Sequence, residues 1–184
     1  MQPVPPESSS DASPVPASAQ LDEDTLDFAA RIFDLARHGD TASLASYLAQ
    51  GLAPNLRDHK GDSLLMLAAY HGHDDTVETL LNHAADPELR NNNGQTPIAG
   101  AAFKGHVAVV ENLLRHGASV EGASPDGKTA LMVAAMFNRT AIVELLLAHG
   151  ADIHARSDNG TTALEAARAM RAPDALALLQ ARLA

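Results

Sequence analysis

The chain has 184 residues, 46% of them apolar but only 3% aromatic, with no cysteine and a net charge of −10. That length holds one ordinary domain or a short repeat array with a tail, and small aliphatic side chains suit closely packed helices better than a β-sandwich. The missing cysteine excludes a disulfide scaffold and a thiolate-ligated zinc site, and the acidic total argues against nonspecific binding to nucleic acid or an anionic membrane.

Residues 1–20 contain five prolines and five serines and almost nothing large and apolar. Such a segment cannot bury enough surface to offset the entropy of ordering, so a disordered tail is expected. Six acids, Glu7 to Asp27, precede the first cation, Arg31, and the rest carries 17 acids against 13 bases. The start lacks the basic residues and apolar core of a signal peptide. No apolar run approaches the ~20 residues of a membrane span. A cytoplasmic location is the expectation.

Residues 21–184 read as a single repeat domain. Gly61, Gly94, Gly127 and Gly160 recur every 33 residues and open similar segments, and the same frame stepped back begins near residue 28. Five units therefore start near 28, 61, 94, 127 and 160, without an insertion. A longer acidic helix, roughly 22–37, leads into the first. Ser63, Thr96, Thr129 and Thr162 are placed to N-cap the first helix of their units. Pro97 then falls at a first helical position, where its missing N–H costs nothing. Alanine pairs follow (Ala68-Ala69, Ala101-Ala102, Ala134-Ala135), small enough for helices to approach closely.

After a glycine-containing turn, a second helix carries apolar residues at i, i+3 and i+4: Val77/Leu80/Leu81, Val110/Leu113/Leu114 and Val143/Leu146/Leu147. Gly51, Gly117 and Gly150 stand where that helix should end in a left-handed cap; the matching residue of the unit at 61 is Ala84. No unit can bury its apolar face alone, so the units must stack, and the first and last should be caps with a wetted outer face. Arg168, replacing the second alanine of the pair, fits that role.

These segments resemble the ankyrin repeat, approximately G-x-T-P-L-H-x-A-A-x-x-G-H, a helix, then H-G-A-D. Gln95-Thr96-Pro97-Ile98, Gly105-His106 and His149-Gly150-Ala151-Asp152 carry the likeness, which covers about residues 28–184. It implies an all-α solenoid of about five stacked helix-turn-helix units, two of them caps, with β-turn fingers and a concave groove that binds a protein. The histidine of T-P-L-H is replaced by Met66, Ala99, Met132 or Glu165, and Gly-His becomes Asn138-Arg139 in one unit.

The resemblance also places candidate contact residues. Finger positions give Arg57, His59, Lys60, Arg90, Asn92, Gln95, Lys128 and Arg156; first-helix ends give Tyr70, His71, Phe103, Lys104, Met136 and Phe137. Three of the six aromatics and six of the 13 cations fall there. Aromatics with arginine are the usual composition of interface hot spots, although Tyr70, Phe103 and Phe137 could instead pad the seam between repeats. The expected function is a non-catalytic, monomeric module without cofactors, binding a partner that presents an acidic or amphipathic segment.

Three other readings are open to these residues. His71 and His73, with His59 near them, could hold a metal. The ladder of His83, His116 and His149 could not, since equivalent positions lie ~10 Å apart and zinc needs ligands at ~2.0–2.1 Å. Glu78, Glu111 and Glu144 repeat in the same way on an outward helix face, without the paired carboxylates that hydrolysis requires. A basic groove could bind nucleic acid, against the overall charge.

Overall fold

The computed structural model describes residues 23–184; the tail expected over residues 1–20 lies outside them. Ten α-helices follow in chain order among the described residues: α1 (Glu23–His38), α2 (Thr41–Ala49), α3 (Leu64–His71), α4 (Asp74–Asn82), α5 (Pro97–Lys104), α6 (Val107–Arg115), α7 (Ala130–Met136), α8 (Thr140–Ala148), α9 (Ala163–Ala169) and α10 (Pro173–Leu183). They form five pairs. The first helices α1, α3, α5, α7 and α9 pack one on the next in order, and so do the second helices α2 to α10. The long lead-in helix of the first unit is α1 itself.

One continuous core runs through the stack. Ala68 and Ala69, Ala101 and Ala102, and Ala134 and Ala135 are completely buried between first helices, where a larger side chain would force the layers apart. Val77 and Leu80, Val110 and Leu113, and Val143 and Leu146 fill the matching layer between second helices. At the ends the expected wetting is only partial. Arg168 is exposed, but so are Leu26, Phe28, Met170 and Leu183.

Three of the four expected N-caps form. Ser63 Oγ accepts from the Met66 N–H at 3.0 Å, Thr129 Oγ1 from the Met132 N–H at 3.3 Å, and Thr162 makes a reciprocal capping box with Glu165. Thr96 keeps the extended cap backbone ahead of Pro97, but its Oγ1 is buried without a hydrogen-bond partner.

Left-handed backbone recurs at three places in the repeat: before the first helix (Gly61, Gly94, Gly127, Gly160), between the helices (Gly39, Gly72, Gly105, Asn138, Arg171) and after the second helix (Gly51, Ala84, Gly117, Gly150). Ala84 holds φ 63° where its counterparts are glycines at 98°, 86° and 88°. An alanine in that region is strained by ~1–2 kcal/mol, partly offset because it restricts the unfolded chain by ~0.4–1 kcal/mol more than glycine. Ala84→Gly is therefore expected to stabilise the fold by ~0.5–1 kcal/mol in urea denaturation. A clear loss would show that this turn tolerates alanine without strain.

The turn between paired helices carries a clasp to the previous unit. The His73 ring lies over Gly39 with Nε2 2.8 Å from the Arg37 carbonyl, and His106 lies over Gly72 with Nε2 3.2 Å from the Tyr70 carbonyl. In the departing unit Arg139 Nε donates to the Phe103 carbonyl at 3.3 Å, so an arginine takes over the histidine's bond. Asn138, at φ 55°, donates to Asp174 and accepts from the Ala175 N–H, which ties α7 to α10.

Candidate functional site

Each pair of helices is followed by a finger that turns back on itself. Asp58 donates its N–H to the Asp62 carbonyl, and the same 3.0 Å bond recurs at Asn91–Gln95, Ser124–Lys128 and Ser157–Thr161. Side chains tighten these turns from within: Asp58 accepts from the Lys60 and Asp62 N–H groups, and Asn91 from those of Asn93 and Gln95. Neighbouring fingers are also stitched together, through the Asn92 N–H to the Lys60 carbonyl and the Asn92 side chain to the His59 carbonyl. The fingertips are thus held by main-chain bonds rather than by partner contact.

Most of the finger cations serve this scaffold. Arg57 donates to the Gly61 carbonyl at 3.0 Å and to the Arg90 carbonyl at 2.7 Å; Arg90 donates to Gly94 at 3.0 Å and across to Ala123. Each arginine therefore braces its own turn and bridges to the next finger. Arg156 donates to the Gly160 carbonyl at 2.7 Å, with Glu165 3.9 Å away. Lys128 pairs with Asp126, and hydrogen bonds from Lys128 and Ser124 hold that carboxyl down to about 2. Four of the six groove cations read from the sequence are engaged this way. Lys60 and Lys104 are exposed and make no salt bridge with a described residue.

The aromatic residues come together. Tyr70 and Phe103 stack with ring centres 6.2 Å apart, and Phe103 meets Phe137 edge-on at 4.5 Å. Tyr70 is 37% exposed and the two phenylalanines are half-buried. The ladder pads the seam between units and also offers a face to the groove. Lys104 stands over the Tyr70 ring at 5.1 Å, a favourable cation–π placement. His71 lies edge-on to Tyr70; its pKa is lowered by burial first, then by the positive charges of His73, Lys104, Arg37 and His38.

Two hollows flank Phe103 along this strip. One, about 490 Å³, is lined by Lys60, Asp62, Met66, Tyr70, His71 and Asn91 among others. The other, about 540 Å³, is lined by Ala99, Pro125, Lys128, Val133, Met136 and Phe137 among others. Asn93, Gln95 and Phe103 belong to both. Asn91, Ala99 and Val133 were not singled out from the sequence. The signal was available for Val133, which lies four residues before Phe137 in the same unit and so on the same helix face.

The histidines are largely occupied. His38, His83, His116 and His149 each place Nδ1 at 2.8–2.9 Å from the carbonyl four residues back, closing the end of a helix. His73 and His106 form the clasps described above. His71 and His73 stack at 6.3 Å, and among the described residues no group of three or more His, Asp or Glu is arranged to hold a metal ion. Among the same residues no helix is long and apolar enough to cross a membrane.

Comparison with known proteins agrees with this architecture. A family model described as ankyrin repeats, in three copies, matches residues 32–124 and 119–182. A Pseudomonas aeruginosa protein named as an ankyrin repeat protein is 60% identical over 51 residues, 28% of this chain. That alignment spans 30% of the Pseudomonas protein, so it speaks for the repeat and not for the whole of either protein. With five stacked helix pairs, finger turns at a 33-residue spacing and a family match over most of its length, the chain belongs to the ankyrin-repeat family.

Proposed function

We propose that this chain is a non-catalytic binding module, monomeric on its own and cytoplasmic, that holds a partner protein in the strip between its fingers and first helices. Ankyrin repeats are in general protein–protein interaction modules. The observation that carries the reading here is the continuous ladder of Tyr70, Phe103 and Phe137 along the floor of that strip, with one hollow on each side of Phe103. The fingers are braced by bonds of their own, so binding orders little of this chain and most of the entropy loss falls on the partner. His59, Asn92 and Gln95 supply polar groups at the exposed fingertips.

The reading is tested with a photo-crosslinking residue placed at Tyr70, Met136 or, on the opposite face, Glu111. A partner should crosslink from the first two positions and not from the third. Tyr70→Ala should weaken capture of that partner about 30-fold, the effect of losing an anchor worth ~2 kcal/mol, while costing the fold ~1 kcal/mol or less because the ring is partly exposed. Crosslinking from Glu111 alone would place the binding face elsewhere.

A further inference from the structure

Charge and apolar surface are distributed unevenly along the groove. On the side of Phe103 nearer the N-terminus, Lys60 and Lys104 make no salt bridge with a described residue. The acids of that hollow are engaged: Asp58 accepts from Arg37 at 3.1 Å, and Asp62 accepts from the Asn91 amide at 2.9 Å. On the side nearer the C-terminus, Ala99, Val133, Met136 and Phe137 with Pro125 make an apolar hollow, and its single lysine, Lys128, is neutralised by Asp126. The positive field at the first end reaches His71, whose pKa is depressed by burial and then by the cations around it.

We infer that the groove takes a partner segment with a fixed polarity, a carboxylate side chain lying between Lys60 and Lys104 and a large apolar side chain entering the Pro125–Phe137 hollow. This rests on the groove being the binding face. The two hollows belong to neighbouring units, which stack ~10 Å apart. Three residues of polyproline II rise ~9.3 Å and return a side chain to the same face. Acid and anchor therefore stand about three residues apart in an extended segment. A helical segment would need about seven residues to cover that distance at 1.5 Å each.

Display of random dodecapeptides against the full chain tests this, with two variants run beside it. Lys60→Glu combined with Lys104→Glu reverses the charge of one end at exposed positions; Met136→Glu spoils the apolar hollow. Circular dichroism checks that both remain folded. Peptides enriched on the wild-type chain should carry Asp or Glu three residues from Leu, Phe, Met or Trp, and bind the charge-reversed chain at least ten times more weakly. Selection on the charge-reversed chain should return Lys or Arg in place of the acid with the same anchor, a swap that a merely structural role for the lysines would not produce. Peptides that are lost on Met136→Glu but show no acid, or show it seven residues from the anchor, overturn the inference and leave the groove reading standing. Peptides that bind Met136→Glu as well as the wild type, or no enrichment on any chain, overturn both.

Discussion

Leu80→Ala is expected to remove ~2–5 kcal/mol of stability, the range for emptying a leucine-sized volume from a packed interior. Leu80 is completely buried in α4, at the repeat position that Leu113, Leu146 and Leu179 fill in α6, α8 and α10, all equally buried. Its neighbours are the second helices on either side, α2 and α6, so the cavity opens between layers and not within one helix pair. Each unit of a solenoid touches only its neighbours, and stability is a sum of unit and interface contributions. A cavity at this position weakens two interfaces at once. Thermal and urea melts followed by circular dichroism should show the loss, at about 2–4 °C per kcal/mol for a chain of this size. The groove is lined from the opposite helices, so crosslinking from Tyr70 in the remaining folded protein should be unchanged. A loss below ~1 kcal/mol would mean that the second helices do not share one continuous core.

Gly72→Ala should be the more damaging of two formally identical substitutions, at ~2–3 kcal/mol against ~1–2 kcal/mol for Gly117→Ala. Both glycines are left-handed, at φ 82° and 86°, and alanine in that region costs ~1–2 kcal/mol in either case. Their surroundings differ. A Cβ on Gly117 would meet open space, whereas one on Gly72 would lie 2.6 Å from the His106 ring, closer than carbon atoms approach. The imidazole would have to leave the Tyr70 carbonyl, losing a bond worth ~1 kcal/mol. Replacing His106 by alanine in the same chain should recover most of the difference, since the two substitutions share one contact and their effects are not additive. Equal losses for Gly72→Ala and Gly117→Ala would show that the clasp moves aside freely.

A residue that recurs at the repeat spacing was easy to assign to a place but easy to misread for its task. Arg57, Arg90 and Arg156 stand 33 and 66 residues apart, and that regularity is itself the mark of a scaffold role: each braces the turn of its own finger, and the first two reach on to the next. The residues left for recognition are those that break the period or have no brace to form. Lys60 has no counterpart lysine in the neighbouring fingers at Asn93 and Asp126, and Lys104 stands where the other units have His71 and Phe137. Composition and spacing gave both groups the same positive charge, and only the hydrogen-bond partners separate them.

By itself the sequence determined the number of units, their register, the helix pair within each, the buried alanine and leucine layers, and the strained alanine at 84. These follow from local rules, because each repeat obeys the same periodicity of apolar residues, caps and left-handed turns, and errors in one copy are corrected by the next. Contacts between units were decided only in the tertiary structure. Which carbonyl Arg90 reaches, how Arg139 replaces a histidine, why Thr96 caps without its hydroxyl, and that Tyr70, Phe103 and Phe137 stack as one ladder all depend on ångström distances across the seam. A 33-residue spacing says that two residues are neighbours. It does not say whether their side chains turn toward each other or toward the groove, because a side chain's rotamer is chosen by its surroundings as well as by its place in the chain.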